Sequence, residues 1–160
     1  GETPEQIAEG LQSYEASGMR QNIYEQDGYH IYADCYNASP DAMEATLAVL
    51  GTMAPDGRRF AVLGSMLELG DYAEEGHRRA GRAAAQYADA LYAYGPDADA
   101  MVAGAKEKGM ERAFAFDDQP ALVAALRQDA QKGDALLFKG SRGMRMEQAL
   151  KLFLGEDVEE

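Results

Sequence analysis

The feature that most constrains this chain is a repeated alternation between short apolar runs rich in β-formers and longer stretches with helical periodicity. The runs are Tyr29 to Asp34, Phe60 to Leu63, Ala90 to Tyr94, Ala113 to Phe116 and Ala135 to Phe138. Short runs such as Phe60 to Leu63 suit strands buried on both faces. Between the runs, Ser39-Pro40-Asp41 opens a helix with Met43, Leu47 and Leu50 on one face, ending before Pro55-Asp56-Gly57. Asp71 with Glu74 marks a second helix start by its capping pattern, and Arg78, Arg79 and Arg82 lie further along. Asp97 starts a third, which carries Met101, Val102 and Ala105 and stops at Gly109. A fourth presents Leu122, Val123 and Leu126 and ends near Gly133, and the last runs from Met144 to Leu154. Strands joined through helices require right-handed crossovers, so the expected fold is α/β, with a mostly parallel sheet and helices on both faces. Met19 to Glu25, turned back onto Tyr29 to Asp34 by Gln26-Asp27-Gly28, adds a sixth strand as an antiparallel edge. Thr3-Pro4 followed by Ile7 and Leu11 predicts a short opening helix, and the tail Gly155 to Glu160 is expected to fray.

A chain of 160 residues fits one core, and no repeat or linker divides it, so residues 1–160 are expected to form one domain. No apolar run approaches the ~20 residues needed to span a bilayer, which argues against membrane insertion. Gly1-Glu2-Thr3-Pro4 reads neither as a signal peptide nor as a natural beginning, and the expectation is a piece of a longer chain. The single cysteine, Cys35, excludes an internal disulfide framework and a thiolate zinc cage, and suits a reducing compartment. A formal charge of -13 argues against duplex nucleic acid as a partner, because that binding draws on many Lys and Arg contacts with phosphate. The two histidines, His30 and His77, are not at metal-ligand spacing, and neither G-x-x-x-x-G-K-[ST] nor G-x-G-x-x-G occurs. Any ATP used must therefore have its phosphates held elsewhere.

In such sheets ligands gather at the carboxyl ends of strands, which singles out three segments. In Asp34 to Asp41, Asp34 could accept from ribose hydroxyls, Tyr36 offer a ring face and Asn37 pair with a base edge. The plainer alternative is that Asp34 and Asn37 only satisfy a strand-to-helix turn. In Lys139 to Arg145, Lys139 and Arg142 flank Gly140-Ser141 at a predicted helix start, an arrangement able to hold a small acidic ligand. An ordinary capped helix with exposed basic residues would look the same. In Gly64 to Asp71, Glu68 could orient an amine or a metal-bound water, or be a surface acid.

The strings DCYNASPDAMEATL, FAVLGSMLELG and LLFKGSRGMRME, with the helix bearing His77 between the last two, resemble the C-terminal domain of the UDP-N-acetylmuramoyl-tripeptide:D-alanyl-D-alanine ligases, the MurF family. Order and spacing match over nearly the whole chain, within the wider Mur ligase and folylpolyglutamate synthase superfamily. The resemblance implies a Rossmann-like C-terminal domain of a three-domain cytoplasmic enzyme, monomeric, whose first domain binds the UDP-sugar peptide. The central domain of that family carries the P-loop and the magnesium sites. By position, the resemblance puts Asp34, Tyr36 and Asn37, with Pro40 shaping the turn, on the adenosine side of the ATP site. Lys139, Gly140, Ser141 and Arg142, with Glu68, fall near the D-alanyl-D-alanine pocket.

The implied reaction is ATP-dependent formation of an acyl phosphate on the UDP-N-acetylmuramoyl-tripeptide, then attack by the dipeptide amine. This chain would contribute positioning and no covalent catalyst, and alone, without the P-loop, it is expected to be inactive. Three positions, in two motifs, depart from the family pattern. Cys35 and Ser39 stand where the first motif usually has serine and a second asparagine, and Ser65 stands where the middle motif has aspartate. A sibling ligase with another amine, or a stand-alone nucleotide or small-anion module on the same fold, are the competing readings.

Overall fold

The computed structural model describes residues 22–35, 38–53, 56–67 and 69–155. The predicted opening helix, the first residues of the predicted hairpin strand and the tail beyond Gly155 lie outside the described residues. Among the described residues six strands and five α-helices follow in order: β1 (Asn22–Gln26), β2 (Tyr29–Asp34), α1 (Pro40–Leu50), β3 (Arg59–Gly64), α2 (Ala73–Tyr87), β4 (Ala90–Tyr94), α3 (Ala98–Glu107), β5 (Ala113–Phe116), α4 (Gln119–Asp129), β6 (Ala135–Lys139) and α5 (Met146–Leu154).

The strands form one sheet in the order β1-β2-β6-β3-β4-β5, with every pairing parallel except β1 with β2. The hairpin turns at Asp27 and Gly28, both at positive φ, as an Asp-Gly step favours. From β3 to β5 the chain steps outward one strand at a time, with α2 and α3 on one face. The return from β5 to β6 carries α4 across the other face. Right-handed crossovers demand this change of face when the direction of travel reverses. Accordingly Met43, Leu47 and Leu50 of α1, Ala80 and Ala84 of α2 and Met101 and Ala105 of α3 share one apolar core with Ala61, Leu63 and Leu137. Leu122, Val123 and Leu126 of α4 and Met146, Ala149 and Phe153 of α5 share the other with Phe60, Val62, Leu136 and Phe138. Strands β3 and β6 alternate their side chains between the two cores, which is why they read as unbroken apolar runs.

Helix starts follow local chemistry. Ser39 Oγ accepts from the Ala42 amide at 3.1 Å with Pro40 in the first turn, and Asp118 Oδ1 does the same for Ala121 at 2.7 Å. Asp71 does not cap α2: it lies in a single 3-10 turn, Gly70–Tyr72, that runs into the helix, and the cap residue, Tyr72, makes no side-chain cap hydrogen bond. The basic side chains of α2 are spent on neighbouring acids, Arg79 on Asp41 and Glu44 of α1, and Arg78 and Arg82 on Glu107 of α3.

Helices α2 and α3 touch backbone to backbone. A Cβ on Gly81 would sit 1.9 Å from the Met101 carbonyl oxygen, and one on Gly104 would sit 2.1 Å from that of Arg78. Gly81→Ala must therefore push the helices apart, at a cost of about 1–3 kcal/mol as for other overpacked cores. Urea unfolding would register this as a lower midpoint, whereas an unchanged midpoint would show that the crossing is loose.

Candidate functional site at the carboxyl edge of the sheet

The register aligns Asp34 with Lys139, the last residues of the adjacent parallel strands β2 and β6, so their side chains leave the sheet on the same side. Lys139 Nζ donates to Asp34 Oδ2 at 2.6 Å, and the two side chains are 1% and 7% exposed. A buried charge persists when paired and hydrogen-bonded, and here each partner supplies the other's counter-charge. Lys139 thus faces inward to Asp34. Among the described residues Asp34 Oδ1 is buried with no hydrogen-bond partner, as is Oε1 of Glu147 in the first turn of α5.

Cys35 lies beside this cluster, its thiol 3.5 Å from the Phe138 carbonyl. Burial, with the Glu147 and Asp34 carboxylates nearby, pushes the Cys35 thiol up to about 12. At neutral pH it is a small apolar filler.

The segments around Ser65 and Ser141 form one unit. The Leu67 amide donates to Ser141 Oγ at 2.9 Å, and the Ser141 amide donates to the Ser65 carbonyl at 3.3 Å. Ser65 is fully buried; its hydroxyl accepts from the Asp97 amide at 3.0 Å and donates to the Tyr94 carbonyl. That hydroxyl therefore ties β3 to the loop after β4. The strand ends also close on each other: a Cβ on Gly140 would meet Gly64 Cα at 3.0 Å and Met146 Cγ at 2.8 Å, so Gly140 is the residue that fits.

Beyond Ser141 the predicted helix start is displaced. A single 3-10 turn, Arg142–Met144, precedes α5, and Arg145 between them adopts φ 55. The Gln119 side-chain amide donates to the Met144 and Arg145 carbonyls at 3.1 and 3.0 Å and holds this turn. Arg142 and Arg145 are exposed on this turn. Two surface clefts of about 340 Å³ elsewhere include none of the candidate residues in their walls.

The structure therefore gathers Asp34, Lys139, Gly140, Ser141 and Arg142 at one edge, with Pro40 at the start of α1. Tyr36, Asn37 and Glu68 lie outside the described residues. Glu147 and Gln119 were not singled out by sequence reasoning. Glu147 ends the LLFKGSRGMRME string, and only the backbone path of the turn reveals Gln119.

A mostly parallel sheet with its loops collected at the carboxyl ends of three adjacent strands defines an α/β domain with a Rossmann-like fold. The family model "Mur ligase, glutamate ligase domain" matches residues 19–142, and the chain belongs to the Mur ligase family as that C-terminal domain. It is 36% identical to the UDP-N-acetylmuramoyl-tripeptide--D-alanyl-D-alanine ligase of Bacillus subtilis over 94% of this chain and 34% of the relative. It is 43% identical to the Synechocystis ligase of the same name over 73% of this chain and 26% of the relative. Among solved structures, MurF from Acinetobacter baumannii superposes with TM-score 0.78 at 31% identity, covering 95% of this chain and 34% of that one. MurF from Thermotoga maritima in complex with ADP superposes with TM-score 0.75 at 29% identity, covering 96% and 36%. The chain thus spans about a third of the length of its MurF relatives.

Two outcomes follow from the buried cluster. Lys139→Ala strands the Asp34 charge and should cost about 3–5 kcal/mol in urea unfolding, while Asp34→Asn with Lys139→Met should cost clearly less. Equal losses would mean the pair is not buried in solution. Cys35 should resist thiol reagents at pH 8 until the chain unfolds. Because its folded pKa lies above the ordinary 9.0, the folded state holds the proton more tightly, so this group's stabilisation is lost as pH rises from about 9 through about 12.

Proposed function

We propose that this chain is the C-terminal domain of a cytoplasmic ATP-dependent ligase that adds D-alanyl-D-alanine to UDP-N-acetylmuramoyl-tripeptide in peptidoglycan synthesis. It positions the dipeptide and closes over ATP together with the N-terminal and central domains of the same chain. The observation that carries the reading is the joined pair of loops at the ends of β3 and β6. They set the Ser141 hydroxyl and the exposed Arg142 at one mouth. An Arg guanidinium grips a carboxylate in a two-pronged fashion, which suits the carboxylate end of a dipeptide. Lys139 contributes by neutralising Asp34, and Gly140 by letting the loops approach.

The residues present fit a nucleoside on the β2 side. Asp34 Oδ1, buried and unpartnered among the described residues, is an acceptor of the kind a ribose hydroxyl needs, and Pro40 fixes the turn into α1. ATP supplies the phosphoryl group that activates the tripeptide carboxylate. The reading assigns Mg²⁺, with the phosphates, to the central domain. No helix among the described residues is long and apolar enough to cross a membrane.

The test is phosphate release by the full-length ligase with ATP, Mg²⁺ and UDP-N-acetylmuramoyl-tripeptide, with and without D-alanyl-D-alanine. Release should depend on the dipeptide, and Arg142→Ala should raise the KM for dipeptide about 10- to 100-fold, the weight of a charge-assisted hydrogen bond, with little change for ATP. Release without the dipeptide, or equal changes in both KM values, would contradict the assignment.

A further inference from the structure

His77 is fully buried in α2, 11 residues along the chain from Met66. Its Nδ1 lies 2.6 Å from the Ala73 carbonyl oxygen, which can only accept, so Nδ1 carries a hydrogen. Its Nε2 lies 2.8 Å from the Met66 amide, which can only donate, so Nε2 is bare. Both contacts are satisfied by one tautomer, the neutral Nδ1–H form. Asp97 Oδ2, 3.7 Å from Nε2, finds no hydrogen there to accept.

The hold on Met66 bears directly on its neighbour. The Leu67 amide occupies a lone pair of Ser141 Oγ, and Ser141 in turn donates its own amide to Ser65. A hydroxyl has one hydrogen to donate. With an acceptor side taken by Leu67, the Ser141 hydroxyl keeps its one hydrogen to donate elsewhere, and among the described residues it makes no such bond.

We propose that His77 is a positioning residue for substrate binding. As a neutral acceptor it fixes Met66, which places the Leu67 amide on Ser141 and so presents the Ser141 hydroxyl as a donor to an anionic oxygen of the ligand. This rests on the reading of Ser141 as a ligand contact. The ligand class it specifies is a carboxylate-bearing amine that needs a neutral donor beside the Arg142 guanidinium.

Steady-state kinetics on the full-length ligase would test it with His77→Leu, His77→Gln, Ser141→Ala and the His77→Leu/Ser141→Ala double variant, with D-alanyl-D-alanine and ATP varied separately. His77→Leu should raise the dipeptide KM about tenfold with the ATP KM nearly unchanged, the size of effect expected when one hydrogen bond is misplaced. His77→Gln, which keeps an acceptor for Met66, should recover most of that loss. The double variant should be no worse than Ser141→Ala, because both changes remove the same contact. Multiplying effects, no recovery with Gln, or equal changes in both KM values would overturn the proposal. Nitrogen-15 NMR of the imidazole is independent of any substrate and should show a protonated Nδ1 and a bare Nε2. The opposite tautomer would overturn the His77 step even if Ser141 binds ligand. An unchanged KM in Ser141→Ala would instead remove the ligand end, and with it the functional reading of that loop.

Discussion

The site depends on the last strand being driven into the middle of the sheet. β6 is paired on one side with β2 and on the other with β3, and it ends on the buried Asp34–Lys139 ion pair. The pair brings together carboxyl-end loops that are far apart in sequence. A lysine at that position without its aspartate would be a buried uncompensated charge, at a cost of several kcal/mol. The ion pair therefore ties the ends of β2 and β6 together, and the exposed cations, Arg142 and Arg145, stand just beyond it on a turn.

Around that anchor the chain builds a second layer of order from neutral hydrogen bonds. Ser65, His77, Ser141 and Gln119 hold loop backbone through their side chains, and each meets main-chain groups of another segment or turn. Loops fixed in this way are already arranged before a ligand arrives, which lowers the ordering cost of binding. It also explains how serine can stand at position 65. The site asks that side chain to tie β3 to the loop after β4, and a hydroxyl that both accepts and donates does so.

Much of the architecture was legible locally. The strands at Tyr29–Asp34, Ala90–Tyr94 and Ala113–Phe116 fall where their apolar runs placed them, and Ser39-Pro40 marked the start of α1. What local pattern could not reveal is long-range. The insertion of β6 between β2 and β3 is a matter of register over more than a hundred residues, and the same distance hides the partner of Lys139. Read by spacing alone, Lys139 resembles Arg142, a cation beside a helix start; only the sheet separates the inward lysine from the outward arginine. Asp71 looked like a cap because acids cluster there, but the 3-10 turn leads into α2 without one. For the site, spacing at each segment allowed an ordinary capped turn, and the ligand assignments came from the resemblance to MurF.

The most direct test of the central claim is a crystal structure of the full-length ligase with D-alanyl-D-alanine and a non-hydrolysable ATP analogue. The account predicts the dipeptide carboxylate within about 3 Å of the Arg142 guanidinium and the Ser141 hydroxyl, at ordinary hydrogen-bond distance. A dipeptide seated entirely against other domains, with the Ser141–Arg142 mouth facing solvent, would contradict it.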